Sequence, residues 1–355
     1  MPLSDLPLVA APDQLTQSRF LLVGCQGGAE PIIEKRQQRW FPTWQKTAWR
    51  RGLVSFRLPE AVSEQAAAVP PLAIDRLVFA RTALRCLGHV TGTDDAERIK
   101  AACDLTGVAP FAGVHVWKRD PRLELDTEPI HTGLTTALAL PPPAAALPPG
   151  SLVLDCVVDT TDRWWIGWHH VLTAADHWPG GRYPGQLPTD AVSRAWLKLD
   201  EAINRFELTL KRDQQACELG AAPGGACQRL LAADLNVIGV DPATIDPRVV
   251  ANPRFTHWQK RARDVRVKDL RRCDWLVTDM NIDPTSTMAA LERVLAPGGR
   301  RPRGIIATLK LPDWSRADDL DDWQARVNSW GYQSQVRQLA TGGREVCLVA
   351  RLPRR

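Results

Sequence analysis

No uninterrupted apolar run in the 355-residue chain approaches the roughly 18 residues that a membrane span requires. The eight cysteines include no C-x-x-C pair and stand apart from the histidines, so neither a disulfide framework nor structural zinc is expected. His169 and His170 are neighbours on an expected strand and point to opposite faces, so they cannot share one metal ion and read as packing or surface residues. The segment Met1–Asp13 lacks a basic stretch followed by an apolar one and does not read as a secretory leader. No internal repeat is visible. Together these absences lead to the expectation of a soluble, cytoplasmic, monomeric protein with no membrane contact and no metal.

What is present is ordinary in amount and informative in arrangement. Hydrophobic residues make up 44% and charged residues 24%, as in most globular chains, and the length favours two folding units. The net charge of +5 is mild, but basic residues gather in Lys35–Arg51 and Lys260–Arg272. The first stretch interleaves Trp40, Trp44 and Trp49, a mixture that suits phosphate contact with base stacking, which makes Lys35, Arg36, Arg39, Arg50 and Arg51 candidate RNA contacts. The competing reading is a solvated helix face with tryptophans anchoring a core.

Residues 1–175 alternate short apolar strands with helical patterns in an α+β layout: strands at Phe20–Gly24, Leu53–Leu58, Leu77–Arg81, Gly113–Lys118, Leu152–Val158 and Trp164–Trp168, and helices at Glu30–Arg39, Asp94–Leu105 and Pro129–Ala139. Pro141–Gly150 reads as a loop within this domain. A linker is expected over residues 176–189, where Trp178-Pro179-Gly180-Gly181 and Pro184-Gly185 interrupt any regular element. From residue 190 to 355 strands and helices alternate regularly, which implies an α/β domain with a parallel sheet covered on both faces. The last two strands, Gln335–Leu339 and Glu345–Ala350, are separated by too few residues for a helical crossover and should pair as an antiparallel hairpin. Such a sheet resembles the Rossmann-like methyltransferase fold more than a dehydrogenase.

Where the first strand of that domain ends, the chain reads Glu218-Leu219-Gly220-Ala221-Ala222-Pro223-Gly224-Gly225, at the position where open α/β sheets bind nucleotide-like ligands. The pattern is not the G-x-G-x-x-G dinucleotide fingerprint, and Pro223 removes a backbone donor that a pyrophosphate cradle would use. S-adenosylmethionine carries no phosphate and needs no such cradle. Glu218 could receive its cationic amino-acid end, Asp241 at the next strand end its ribose hydroxyls, and Asp264 its adenine amino group. Gly220, Ala221, Pro223, Gly224, Gly225 and Asp279 complete the candidate cofactor contacts.

Five segments carry a resemblance in order and spacing: Ser193-Arg194-Ala195-Trp196-Leu197-Lys198-Leu199, the glycine turn, Thr278-Asp279-Met280, Leu309-Lys310-Leu311-Pro312 and Arg344-Glu345-Val346. They resemble the FtsJ-like ribose 2′-O-methyltransferases. The resemblance implies that the family's K-D-K-E catalytic tetrad falls on Lys198, Asp279, Lys310 and Glu345, and that Arg194 meets RNA. More loosely, Phe20–Cys25, Leu77–Arg81 and Tyr183–Pro188 are similar to a branch with a THUMP-like RNA-binding domain, which implies a cytidine ribose of large-subunit ribosomal RNA as substrate. Transfer RNA, messenger RNA, and an inactive RNA-binding assembly role stay open as alternatives. Glu218 stands where the family usually has Asp, and Ala226 where many members have Trp. The segment Gly298–Arg303 is more basic than the pattern requires.

A ribose hydroxyl attacks a methyl group on sulfur poorly unless its proton is removed as attack proceeds. Lys310 is the candidate base, with burial and the cationic Lys198 expected to depress its pKa, Asp279 expected to oppose that shift, and Glu345 expected to hold Lys198 or the ribose.

Overall fold

The computed structural model describes residues 7–60, 75–140 and 146–353, which form two compact units, Met1–Arg182 and Tyr183–Arg355. Residues 1–6 of the segment read for a leader, and residues 141–145 of the Pro/Ala loop, lie outside the described residues. Among the described residues no helix is long and apolar enough to cross a membrane.

The first unit is built on a seven-stranded sheet in the order β2-β3-β1-β4-β7-β6-β5, with β1 Phe20–Cys25, β2 Gln45–Arg50, β3 Leu53–Arg57, β4 Ala80–Thr91, β5 Phe111–Lys118, β6 Leu152–Thr160 and β7 Arg163–His170. Only β5 and β6 run parallel; the other neighbours are antiparallel. Helices Asp95–Thr106 and Glu128–Ala137 cover one face, where Val114, Val116, Leu154, Cys156, Trp164, Ile166 and Trp168 form a buried core. The first of these helices starts as its sequence dictates, with the Asp94 side chain accepting from the Glu97 amide. Alternation in the strands sends the intervening side chains to the second face, among them Trp117, Val157 and Trp165.

Two elements of this unit differ from the sequence expectation. The strand expected at Leu77–Arg81 begins at Ala80 and continues to Thr91, through a register shift between Cys86 and Gly88 that breaks the alternation on which the reading relied. Gln45–Arg50, inside the basic stretch, is an edge strand rather than part of a helix face. Its side chains are mostly exposed, so it carries no apolar period to read.

The second unit places β8 Gln215–Leu219, β9 Asn236–Val240, β10 Phe255–Trp258, β11 Trp275–Thr278, β12 Gly304–Lys310, β13 Gln333–Arg337 and β14 Glu345–Arg351 in the order β10-β9-β8-β11-β12-β14-β13. The first five are parallel, and β14 runs antiparallel between β12 and β13. The expected hairpin is present, and the sheet is that of the Rossmann-like methyltransferase fold. Strand order reverses between β8 and β11, so the crevice for a ligand opens beyond their carboxyl ends. The insertion of β14 sets Glu345 directly opposite Lys310 in register.

Candidate active site

Each strand that carries a candidate residue ends at the same rim. Asp279 follows β11, Lys310 closes β12 and Glu345 opens β14, while Lys198 comes from the helix Ala195–Arg205. The four charges close into a ring. Lys198 Nζ lies 2.6 Å from Asp279 Oδ2 and 2.9 Å from Glu345 Oε1. Lys310 Nζ lies 2.9 Å from Asp279 Oδ1 and 2.6 Å from Glu345 Oε2. Two cations thus alternate with two anions, each contacting both of the opposite sign, at a site partly withdrawn from water where such contacts are screened less.

The protonation state of the ring departs from the sequence expectation. Burial alone would push Lys310 down, but its hydrogen bonds to Asp279 and Glu345 outweigh burial and hold its ammonium above the ordinary lysine range. Burial alone would likewise raise Asp279, and the two lysines hold it below the ordinary carboxylate range. In the absence of ligand, Lys310 is therefore a proton carrier and not yet a base.

The helix bearing Lys198 is fixed at both ends. At its start, a Cβ on Gly225 would come within 2.1 Å of Ser193 Oγ, so only glycine lets the turn and the helix meet. Gln228 accepts from the Val192 amide at 3.0 Å, and Arg229 pairs with Asp200 at 2.6 Å. One turn beyond Lys198, Glu201 is 0% exposed and accepts from the Ala340 and Thr341 amides and the Thr341 hydroxyl, each at 2.8 Å, as well as from Arg205. It ties this helix to the loop that leads into Glu345. Sequence reasoning missed Glu201; its spacing of four from Arg205 on one helix face was the available signal.

The glycine turn lies beside this ring. Gly220 has φ +83°, and a Cβ there would sit 2.9 Å from Met280 Cγ and 3.1 Å from its Cα, next to Asp279. Asp241 touches the turn directly, its Oδ2 accepting from the Ala222 amide at 3.1 Å. Ala221, Gly224 and Gly225 are buried in the turn and Pro223 is exposed. Glu218 is 1% exposed and accepts from the Cys227 thiol at 2.9 Å. Burial pushes its carboxyl up to about 8 despite that hydrogen bond, and repulsion from Asp279 and Asp241 adds to the rise. Three acids facing one turn suit a ligand that brings positive charge.

Other candidates fall elsewhere. Asp264 stands exposed on a short 3-10 turn, 3.8 Å from its neighbour Arg263, with its amide donating to the Arg261 carbonyl. Arg36 is turned inward, its Nε donating to the Arg76 carbonyl at 2.7 Å, and is not placed to meet a phosphate. Lys35, Arg39, Arg50, Arg51 and Arg194 are exposed. Of the interleaved tryptophans, Trp44 is core, stacked on Phe41, and Arg76 lies 4.0 Å from the Trp40 ring, whereas Trp49 is 48% exposed on edge strand β2. Ala226 is buried and lines a small cavity together with Lys198, Thr278 and Asp279.

Residues 191–307 match the family described as FtsJ-like methyltransferase. The chain is 33% identical over 188 residues to the ribosomal RNA large subunit methyltransferase M of Laribacter hongkongensis, a match covering 50% of this chain and 52% of that protein. It spans about half the length of that relative. Proteins of the same name from Chromohalobacter salexigens and Stenotrophomonas maltophilia match more of the chain at lower identity: 27% over 75% of this chain and 76% of the relative, and 29% over 84% and 86%. The cofactor is S-adenosylmethionine, and the acid-lined glycine turn at the strand-order reversal fits its ammonium and sulfonium charges. Residues 191–307, all within the C-terminal unit, are thus similar to the FtsJ-like methyltransferases.

Proposed function

We propose that the protein methylates a ribose 2′-hydroxyl of large-subunit ribosomal RNA, a cytidine in the reading the sequence favours, with Lys310 as the base. The observation that carries this reading is the ring formed by Lys198, Asp279, Lys310 and Glu345 at the rim of the central strands. When bound, S-adenosylmethionine supplies an electrophilic methyl group on a positively charged sulfur. Glu218 and Asp241 would hold its polar ends, and Gly220 and Gly224 would let the backbone approach it. A positive charge bound beside the ring would oppose the ammonium on Lys310, so that its proton would pass to solvent and leave the amine free. Lys310 then accepts the proton of the attacking hydroxyl, while Lys198 and Glu345 fix the direction of attack. A positioned base contributes about 10²–10⁴-fold, and the remaining acceleration comes from holding oxygen and methyl in line.

The N-terminal unit is the RNA-binding, THUMP-like part of this reading, with Trp49 offering a stacking face and Arg39, Arg50 and Arg51 phosphate contacts; Arg194 serves the same end at the catalytic unit. The substrate class comes from the relatives' shared name. The test is a map of 2′-O-methylation in large-subunit ribosomal RNA from cells with and without the gene. One methylated nucleotide should vanish in the deletion strain and return with the gene. An unchanged map rejects the substrate, and a lost base methyl group in place of a ribose methyl rejects the chemistry.

A further inference from the structure

Three side chains outside the methyltransferase unit form a second cluster. His115 on β5, Asp155 on β6 and His169 on β7 project from the sheet face opposite the helix-covered core, with His115 and Asp155 paired in register across the parallel strands. One ring nitrogen from each histidine and one oxygen of Asp155 lie within 4.8 Å of one another. All three residues are buried, His115 at 8% exposed, His169 at 5% and Asp155 at 0%. A carboxylate so withdrawn from water requires a cation beside it.

The hydrogen bonds say where that cation belongs. His169 Nε2 lies 2.9 Å from the Asp176 carbonyl, which can only accept, so this nitrogen carries a hydrogen. Its Nδ1 faces the Asp155 carboxylate, another acceptor, so a proton or a metal must stand between them. A ring N–H held by a backbone carbonyl is the arrangement that orients metal-binding histidines and leaves the other nitrogen to the ion. The second oxygen of Asp155 accepts from Trp117 Nε1 at 3.1 Å, which fixes the carboxylate. His115 Nδ1 is buried and has no hydrogen-bond partner in the structure. An orphaned buried polar atom is destabilising, and a role for the ring as ligand helps to explain why it is kept.

We propose that His115, Asp155 and His169 form a binding site for one divalent transition-metal cation, of which zinc suits two imidazoles and a carboxylate. The ion takes the place of the proton between His169 and Asp155 and joins β5, β6 and β7. Through the Asp176 carbonyl it also steadies the turn Ala174–His177, which Asp176 caps by accepting from the Leu172 and Thr173 amides. This departs from the expectation of a metal-free protein. That expectation weighed adjacent histidines, whereas the ligands here come from three strands.

The experiment is equilibrium dialysis of the full chain, purified without a histidine tag, against zinc chloride, with elemental analysis, thermal melting and proton release recorded together. One zinc per chain, a raised melting temperature and proton uptake by the buffer are expected. His115→Ala should weaken zinc binding at least about tenfold and still fold, since its Nδ1 holds no partner. Equal zinc content in the wild type and the variant overturns the proposal, as does a wild type that holds none; the pair is then an ion pair joined by a proton alone. Should the variant fail to fold, cobalt(II) added to the wild type decides: visible bands of a nitrogen-coordinated ion are expected, and their absence overturns the site.

Discussion

In the C-terminal sheet, β8 to β12 run parallel, so their carboxyl ends come together and the ring of Lys198, Asp279, Lys310 and Glu345 lies beyond the strands, reachable by ligands. In the N-terminal sheet only β5 and β6 are parallel, and His115, Asp155 and His169 lie within strands on a buried face. Both clusters neutralise acids with nitrogen, yet they differ in access. Charges at strand ends remain partly hydrated and can exchange protons with a substrate, whereas charges on a sheet face are held by neighbouring strands and steady the fold. The two clusters therefore ought to answer mutation differently, one through turnover and the other through stability.

The largest effect belongs to Lys310→Ala, which should lower kcat by about 10²–10⁴-fold while S-adenosylmethionine still binds in calorimetry. A variant that turns over normally would erase the distinction between the two sheets. Next comes Glu201→Ala, which opens a buried acid shared by Arg205 and the loop before Glu345. A loss of about 3–5 kcal/mol in denaturant unfolding is expected, and the stability-neutral behaviour assigned to the ring would then stop one helical turn away from Lys198. Smallest is Trp49→Ala, which should weaken RNA binding by about 1–3 kcal/mol in a filter or fluorescence titration and leave the melting temperature in place. Unchanged RNA affinity would remove edge strand β2 from the interface.

The C-terminal unit was legible because a parallel sheet imposes period and order: the central strands β8, β11 and β12 are largely buried, and Asp279 follows one of them and Lys310 closes another. The final hairpin could be read from a short connection, but its insertion beside β12 could not, since strand order across a sheet leaves no local pattern. That insertion brings Glu345 opposite Lys310. The state of Lys310 was misjudged for a related reason: Asp279 was expected to oppose the effect of burial and Lys198, but that Glu345 touches the same ammonium appears only in three dimensions. In the N-terminal unit, β2 escaped notice because an exposed edge strand needs no apolar alternation. Arg36 looked like a surface charge until its bond to the Arg76 carbonyl turned it inward. The histidine cluster has no motif, since the spacings of 40 residues from His115 to Asp155 and 14 from Asp155 to His169 reflect strand connections and not ligand geometry.

The central claim is that a lysine held protonated by two carboxylates becomes the base for methyl transfer, and the single-turnover rate measured against pH with saturating cofactor tests it most directly. Because deprotonated Lys310 is the active form, the rate should climb about tenfold per pH unit below the pKa of Lys310 in the cofactor complex and level off above it; the carboxylates that raise this pKa in the ligand-free ring move the climb upward, and the cofactor's charge moves it back down. A rate that stays flat from about pH 6 to about pH 9 would show that no such proton has to leave, and Lys310 would not be the base.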